Sequence, residues 1–127
     1  MARIKELLRV IRLLRRGVYS ELPTQQLEIL CEVHQKDGIT LHELHQLTGM
    51  PVGSLSRNVR MLGLFTLQPG GPLQGHGLVE AKQDLYHRKR VALWMTPKAQ
   101  QIFKDIETLL QGKTEIISKI DVERMLP

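Results

Sequence analysis

Cysteine is almost missing from this sequence. Cys31 is the only one in 127 residues, so no internal disulfide framework can hold the fold. The solitary thiol fits a reducing compartment. It falls on the apolar side of its helix and reads as a buried structural thiol rather than a redox sensor. Aromatics are scarce at 4%. Aliphatic packing must therefore fill the core, and a single-strand binder that stacks bases on rings is disfavoured. No stretch approaches the roughly 18 apolar residues of a membrane span. Arginines are threaded through the apolar residues of the N-terminal segment, unlike a secretory signal. A cytoplasmic location is expected, with no membrane partner.

Chemistry-bearing motifs are missing too. No Ser–His–Asp or paired-carboxylate arrangement is legible, so no catalytic residue and no enzyme are expected. The glycines between Pro69 and Gly77 lead into no Lys-Ser/Thr pair and no Rossmann pattern. His42-Glu43-Leu44-His45 spaces its histidines three apart, where the zinc-protease motif needs four. His34 and Cys31 lie nearby in sequence, but solvated or capping histidines are commoner than ligands. No metal and no cofactor are expected.

What is present is positive charge and helical periodicity. The net charge is +5 and the pI about 9.7, a balance that favours a polyanionic partner. Residues 40–63 carry the most organised pattern. Thr40-Leu41-His42-Glu43 is a capping box, and Leu41, Leu44 and Leu47 follow at helical spacing. Gly49 can take positive φ and stop that helix, and Pro51 presets the first turn of the next. The second helix, roughly residues 52–62, sets Leu55, Val59 and Leu62 on one side. Gly53, Ser56, Arg57 and Arg60 share the other, with Val52 and Ser54 beside them. A small, hydroxylic and cationic face suits a helix in a major groove. Small residues let the backbone approach, hydroxyls reach phosphate or base edges, and arginine reads guanine.

The remaining segments can be placed around this pair. Residues 2–16 form an amphipathic helix with Ile4, Leu7, Leu8, Ile11 and Leu14 on one face, a stripe that needs a partner. Residues 17–21 connect it to a helix that opens at Leu22-Pro23-Thr24, with Thr24 as the expected N-cap. Leu27, Leu30, Cys31 and His34 fall on its inner side, flanked by Ile29 and Val33, and Gly38 ends it. Ile39 fits a very short strand. Residues 68–77 hold two prolines and four glycines and read as a mobile loop or insertion. Residues 78–83 and 91–96 are strand-like. Between them Asp84-Leu85-Tyr86-His87-Arg88-Lys89-Arg90 makes a basic tip, fit to grip phosphate or enter a minor groove. The bland alternative is an edge hairpin kept soluble by charge. Thr96-Pro97 begins a helix with Ala99, Ile102, Phe103, Ile106 and Leu110 as its stripe, and residues 114–126 form a last helix containing Ile116, Ile117 and Ile120.

This order resembles the MarR family of winged-helix transcriptional regulators over nearly the whole chain. The resemblance is carried by Leu22-Pro23-Thr24-Gln25-Gln26-Leu27-Glu28-Ile29-Leu30, by Ile39-Thr40-Leu41-His42-Glu43-Leu44, and by Gly49 with Ser54-Leu55-Ser56-Arg57-Asn58-Val59. Gly77-Leu78-Val79-Glu80 looks like the entry to the wing, and Leu93-Trp94-Met95-Thr96-Pro97-Lys98-Ala99 like the exit into the long helix. Three features depart from the pattern. The first arginine after Asp84 is Arg88, the 68–77 loop is long, and Pro51 stands where a serine N-cap is common.

The expected fold is mainly α with a small β-hairpin wing: a winged helix-turn-helix, MarR-like, treated as a single domain over 1–127. Residues 22–96 form the core, and residues 1–21 and 97–127 carry the dimerisation helices. The resemblance implies a homodimer on double-stranded DNA, most simply a repressor on a pseudo-palindromic operator. Val52, Gly53, Ser54, Ser56, Arg57 and Arg60 would serve the major groove, and His87, Arg88, Lys89 and Arg90 the wing. Ile4, Leu7, Leu8, Ile11, Leu14, Ile106, Leu110, Ile116, Ile117 and Ile120 would serve dimerisation. A small-molecule effector is compatible with this reading, though no polar constellation names one. The rival reading is a winged-helix interaction module with weak or no specific DNA binding.

Overall fold

The computed structural model describes residues 2–83 and 90–111. The expectations for His87, Arg88, Lys89, Ile116, Ile117 and Ile120 lie outside them. Among the described residues the order is α1 (Ala2–Gly17), α2 (Thr24–Gln35), β1 (Ile39–Thr40), α3 (Leu41–Thr48), α4 (Val52–Leu62), β2 (Val79–Gln83), β3 (Val91–Met95) and α5 (Pro97–Leu110). The chain divides into two compact units, one formed by Pro23–Gln100 and the other by Met1–Leu22 with the chain from Gln101 onward.

The Pro23–Gln100 unit is the winged core. Its sheet has the order β1-β3-β2, antiparallel throughout. The short strand expected at Ile39 is real: Ile39 pairs with Leu93 and Thr40 with Ala92. On the other edge Val79 pairs with Met95 and Gln83 with Val91. Val79 is buried, whereas Glu80 to Gln83 are exposed, so the hairpin roots in the core and runs outward as a ribbon. Ile29, Leu30, Ile39, Leu44, Leu55, Leu62, Leu78 and Leu93 are wholly enclosed. Each such side chain contributes about 1.5–3 kcal/mol of transfer free energy.

Helix α2 faces the core differently from the sequence expectation. Its buried residues are Gln26, Ile29, Leu30 and Val33, while Cys31 is exposed. Gln26 lies on the same buried stripe as Ile29, Leu30 and Val33, and its amide donates to Asn58 of α4. Pro23, not Thr24, holds the N-cap position, with no side-chain cap bond. Of the helically spaced Leu41, Leu44 and Leu47, α3 buries only Leu44, and Leu47 is exposed.

Residues 68–77, expected as a mobile loop or insertion, belong to a 64–77 segment closed by backbone bonds. Phe65 and Gln74 form an antiparallel bridge with two backbone bonds, Phe65 N to Gln74 O at 3.0 Å and Gln74 N to Phe65 O at 2.7 Å. The returning strand then caps the end of α4. His76, Gly77 and Leu78 donate their amides to the carbonyls of Met61, Gly63 and Leu62. Those carbonyls would otherwise lack partners at the helix terminus. Gly75 makes the approach possible at φ +95°, where a Cβ would overlap the Gly63 carbonyl oxygen.

In the other unit, α1 buries Val10 and Leu14 but leaves Ile4, Leu7, Leu8 and Ile11 exposed. Helix α5 starts as its sequence suggests, with Pro97 in the first position and the Thr96 hydroxyl accepting from Ala99 N at 3.3 Å. Phe103, Ile106 and Leu109 are buried, and Leu110, placed in the stripe by periodicity, is exposed in favour of Leu109. No described helix is long and apolar enough to cross a membrane.

Candidate nucleic-acid interface

The site is built from α3 upward. Thr40 caps α3 by accepting from Glu43 N at 3.1 Å, and the Glu43 carboxylate accepts from Thr40 N at 3.2 Å. Both halves of the capping box are therefore made. Lys36 also pairs with the Glu43 carboxylate. That bond comes first among the causes that hold the Glu43 carboxyl below its ordinary value, and the Thr40 bonds add to it.

The break between α3 and α4 is tightly bonded. Gly49 closes α3 in the left-handed region at φ 74°, a conformation that costs glycine little. The Thr48 hydroxyl donates to Leu44 O at 2.7 Å and accepts from Met50 N at 3.2 Å. His45 Nδ1 lies 2.7 Å from the Met50 carbonyl and donates to it. Pro51, at φ −57°, occupies the N-cap position, which needs no donor of its own. The serine cap common in the family pattern is thus replaced by a proline and a bonded turn.

Helix α4 presents the face expected of it. Leu55, Val59 and Leu62 are buried. Val52, Gly53, Ser56, Arg57 and Arg60 are exposed and Ser54 is half-buried. Arg57 lies along Gly53: a Cβ there would sit 3.6 Å from Arg57 Nη1. The Arg60 guanidinium stacks over the Phe65 ring, 4.5 Å from its centroid. A groove of about 550 Å³ runs between α4 and the root of the hairpin, lined by Ser56, Arg60 and Leu64 on one side and Glu80, Ala81 and Val91 on the other.

Two partners of α4 were not legible as functional residues. Asn58 donates to Ser54 O at 3.0 Å and lies 3.5 Å from Ser54 Oγ, while Gln26 Nε2 donates to Asn58 Oδ1 at 3.3 Å. Gln26 occupies the first position of a 26-29-30-33 inner stripe, so its period was visible but its polarity argued against burial. Phe65 lay beyond the helix, with no periodic signal to tie it to Arg60.

On the hairpin, Arg90 is exposed. Lys82 Nζ stands 5.7 Å from the Trp94 ring centroid and 3.9 Å from the Glu80 carboxylate. No group of three or more metal-ligating side chains occurs among the described residues. Cys31 is exposed by area, yet local burial and then the carboxylates Glu32 and Glu28 push its thiol upward, away from the reactive thiolate. The enclosed structural thiol expected from the sequence is corrected to a surface one.

The architecture matches solved structures of MarR-type regulators. A MarR transcriptional regulator from Methanosarcina mazei Go1 aligns with TM-score 0.60 and 16% identity over 91% of this chain and 76% of that one. Apo wild-type MarR from E. coli aligns with TM-score 0.58 and 19% identity over 97% and 84%. A mutant E. coli MarR complexed with operator DNA aligns with TM-score 0.55 and 20% identity over 97% and 81%. No family model and no curated protein matches the chain. At these identities the likeness establishes the fold, a MarR-like winged helix-turn-helix.

Proposed function

We propose that the protein is a double-stranded-DNA-binding transcriptional regulator that acts as a homodimer on a pseudo-palindromic operator, in the simplest case as a cytoplasmic repressor that occupies a promoter. The observation that carries this reading is the face of α4. Gly53, Ser56, Arg57 and Arg60 are open to solvent, opposite a fully buried Leu55 and Leu62. A helix so presented can approach a groove closely and offer hydroxyl and guanidinium donors to base edges and phosphates. The likeness to a fold solved with operator DNA supports the same reading.

Dimerisation rests on α1. Ile4, Leu7, Leu8 and Ile11 are 64, 49, 42 and 41% exposed along one face, and an apolar stripe of that kind is stable only when covered. A second copy covers it by symmetry and sets two recognition helices about one DNA turn apart, roughly 34 Å. Leu110 is open to the same role, whereas Leu14 and Ile106 are already buried. Arg90 and the basic residues before it would add phosphate contacts from the wing. No metal or cofactor enters this reading, and a small effector that shifts helix spacing is compatible with it.

One observation favours an interaction module instead: Leu64, Leu67 and Leu73 are 61, 68 and 69% exposed on the closed loop. Selection from a randomised duplex library across a salt series, with the mass measured in solution, separates the two. A regulator selects a pseudo-palindrome as a dimer, and its log affinity falls steeply with log salt. Uniform weak binding would overturn the regulator and leave the module.

A further inference from the structure

The 64–77 segment returns to the C-terminal end of α4, and at its start Phe65 meets an exposed side chain of that helix. The Arg60 guanidinium carbon lies over the Phe65 ring, 4.5 Å from its centroid. A stack of this kind occupies the π face of the cation and leaves its in-plane N–H donors free. Phe65 is itself held by its backbone bonds to Gln74 and by the return of residues 76–78 onto the end of α4. The loop thus forms a closed brace that starts and finishes at the helix it steadies. Arg60 also lines the groove between α4 and the hairpin, in company with Ser56 and Glu80.

We propose that Phe65 is a positioning residue for Arg60, fixing the guanidinium plane so that its free edge meets an acceptor pair on DNA, and that the 64–77 loop is the brace that holds Phe65 in place. This rests on the DNA-binding reading above. An exposed arginine loses side-chain freedom when it binds, and a side chain already ordered loses less. A bidentate contact to guanine or phosphate further requires the fork to lie in the acceptor plane. The clasp meets both needs without consuming a donor. It also gives the unusual loop a role in sequence choice.

The test has two arms. In the free protein, the Arg60 δ-proton resonances should be shifted upfield by the ring current of Phe65, and that shift should vanish in Phe65→Leu. On the selected operator, Phe65→Leu should lose about two- to ten-fold in affinity, the scale of ordering one long side chain on binding. It should also relax the same base-pair preference that Arg60→Ala relaxes, and Phe65→Tyr should restore both. In the Arg60→Ala background, Phe65→Leu should cost nothing further. The Phe65–Gln74 bonds are backbone bonds, so the leucine variant keeps the loop closure, and a thermal melt verifies this. Additive penalties, or unchanged preference in Phe65→Leu, overturn the clasp while the regulator stands. A wild-type protein that selects no operator overturns both, even where the ring-current shift is seen.

Discussion

Gln26 of α2 and Asn58 of α4 are joined by a 3.3 Å amide-to-amide hydrogen bond at the edge of the core. Asn58 extends the link to Ser54 and to Gln25, so one buried glutamine ties α2 to the N-terminal half of α4. Asn58→Ala should destabilise the fold by about 1–3 kcal/mol, since it strands the buried Gln26 amide as well as removing a bond. Gln26→Leu removes the amide itself and should cost less. Urea unfolding of both variants measures this order, and a larger loss in Gln26→Leu would contradict it.

Gly75→Ala should be poorly tolerated. Its φ is +95° and an added Cβ would overlap the Gly63 carbonyl. The backbone conformation alone accounts for about 1–3 kcal/mol, and the loop closure onto α4 would loosen as well. Amide hydrogen exchange at His76, Gly77 and Leu78 should accelerate in this variant. Unchanged protection would mean that the loop does not depend on the close approach.

The capping box makes a pH-dependent contribution. Bonds from Lys36 and Thr40 depress the Glu43 pKa from its ordinary 4.5. A carboxyl lowered on folding stabilises the native state above its unfolded pKa, and that contribution is lost as pH falls through the folded value. Stability should therefore decline on acidification below about pH 4.5, and Glu43→Gln should flatten this part of the profile. Thr40→Ala should cost about 1 kcal/mol at neutral pH. Thermal melts from pH 7 to 3 on the three proteins follow both effects.

Arg57→Ala should weaken operator binding by about 1–3 kcal/mol, the worth of a good bidentate base contact, with the melting temperature unchanged because Arg57 is exposed. Titration of a labelled operator measures the loss. Wild-type affinity in the folded variant would remove Arg57 from the interface.

Leu7→Glu should halve the mass in solution. Leu7 is 49% exposed in the middle of the open α1 stripe, and an unpaired carboxylate buried in an apolar interface is strongly unfavourable. Light scattering at matched concentrations decides it, and a wild-type monomer would end the homodimer reading.

Features that close within a few residues are legible in the chain alone. Thr40 and Glu43 cap α3, Gly49 takes positive φ, and Leu55, Val59 and Leu62 face inward. Thr96-Pro97 opens α5. Each is settled by local sterics and by hydrogen bonds spanning three or four positions, so spacing is enough to read them. Tertiary structure decided what depends on partners distant in sequence. Asn58 lies 32 residues from Gln26, so spacing along α2 could not show that a polar side chain is buried with Ile29, Leu30 and Val33 while Cys31 is exposed. The prolines and glycines of residues 68–77 excluded helix and central strand, yet composition could not show that Gln74 returns to Phe65 and that residues 76–78 return to α4. Periodicity likewise marked an apolar stripe on α1, but only packing showed that Val10 and Leu14 are buried while Ile4, Leu7, Leu8 and Ile11 stay open. A helical period records which residues share a face, and burial follows from which neighbours the fold brings against that face.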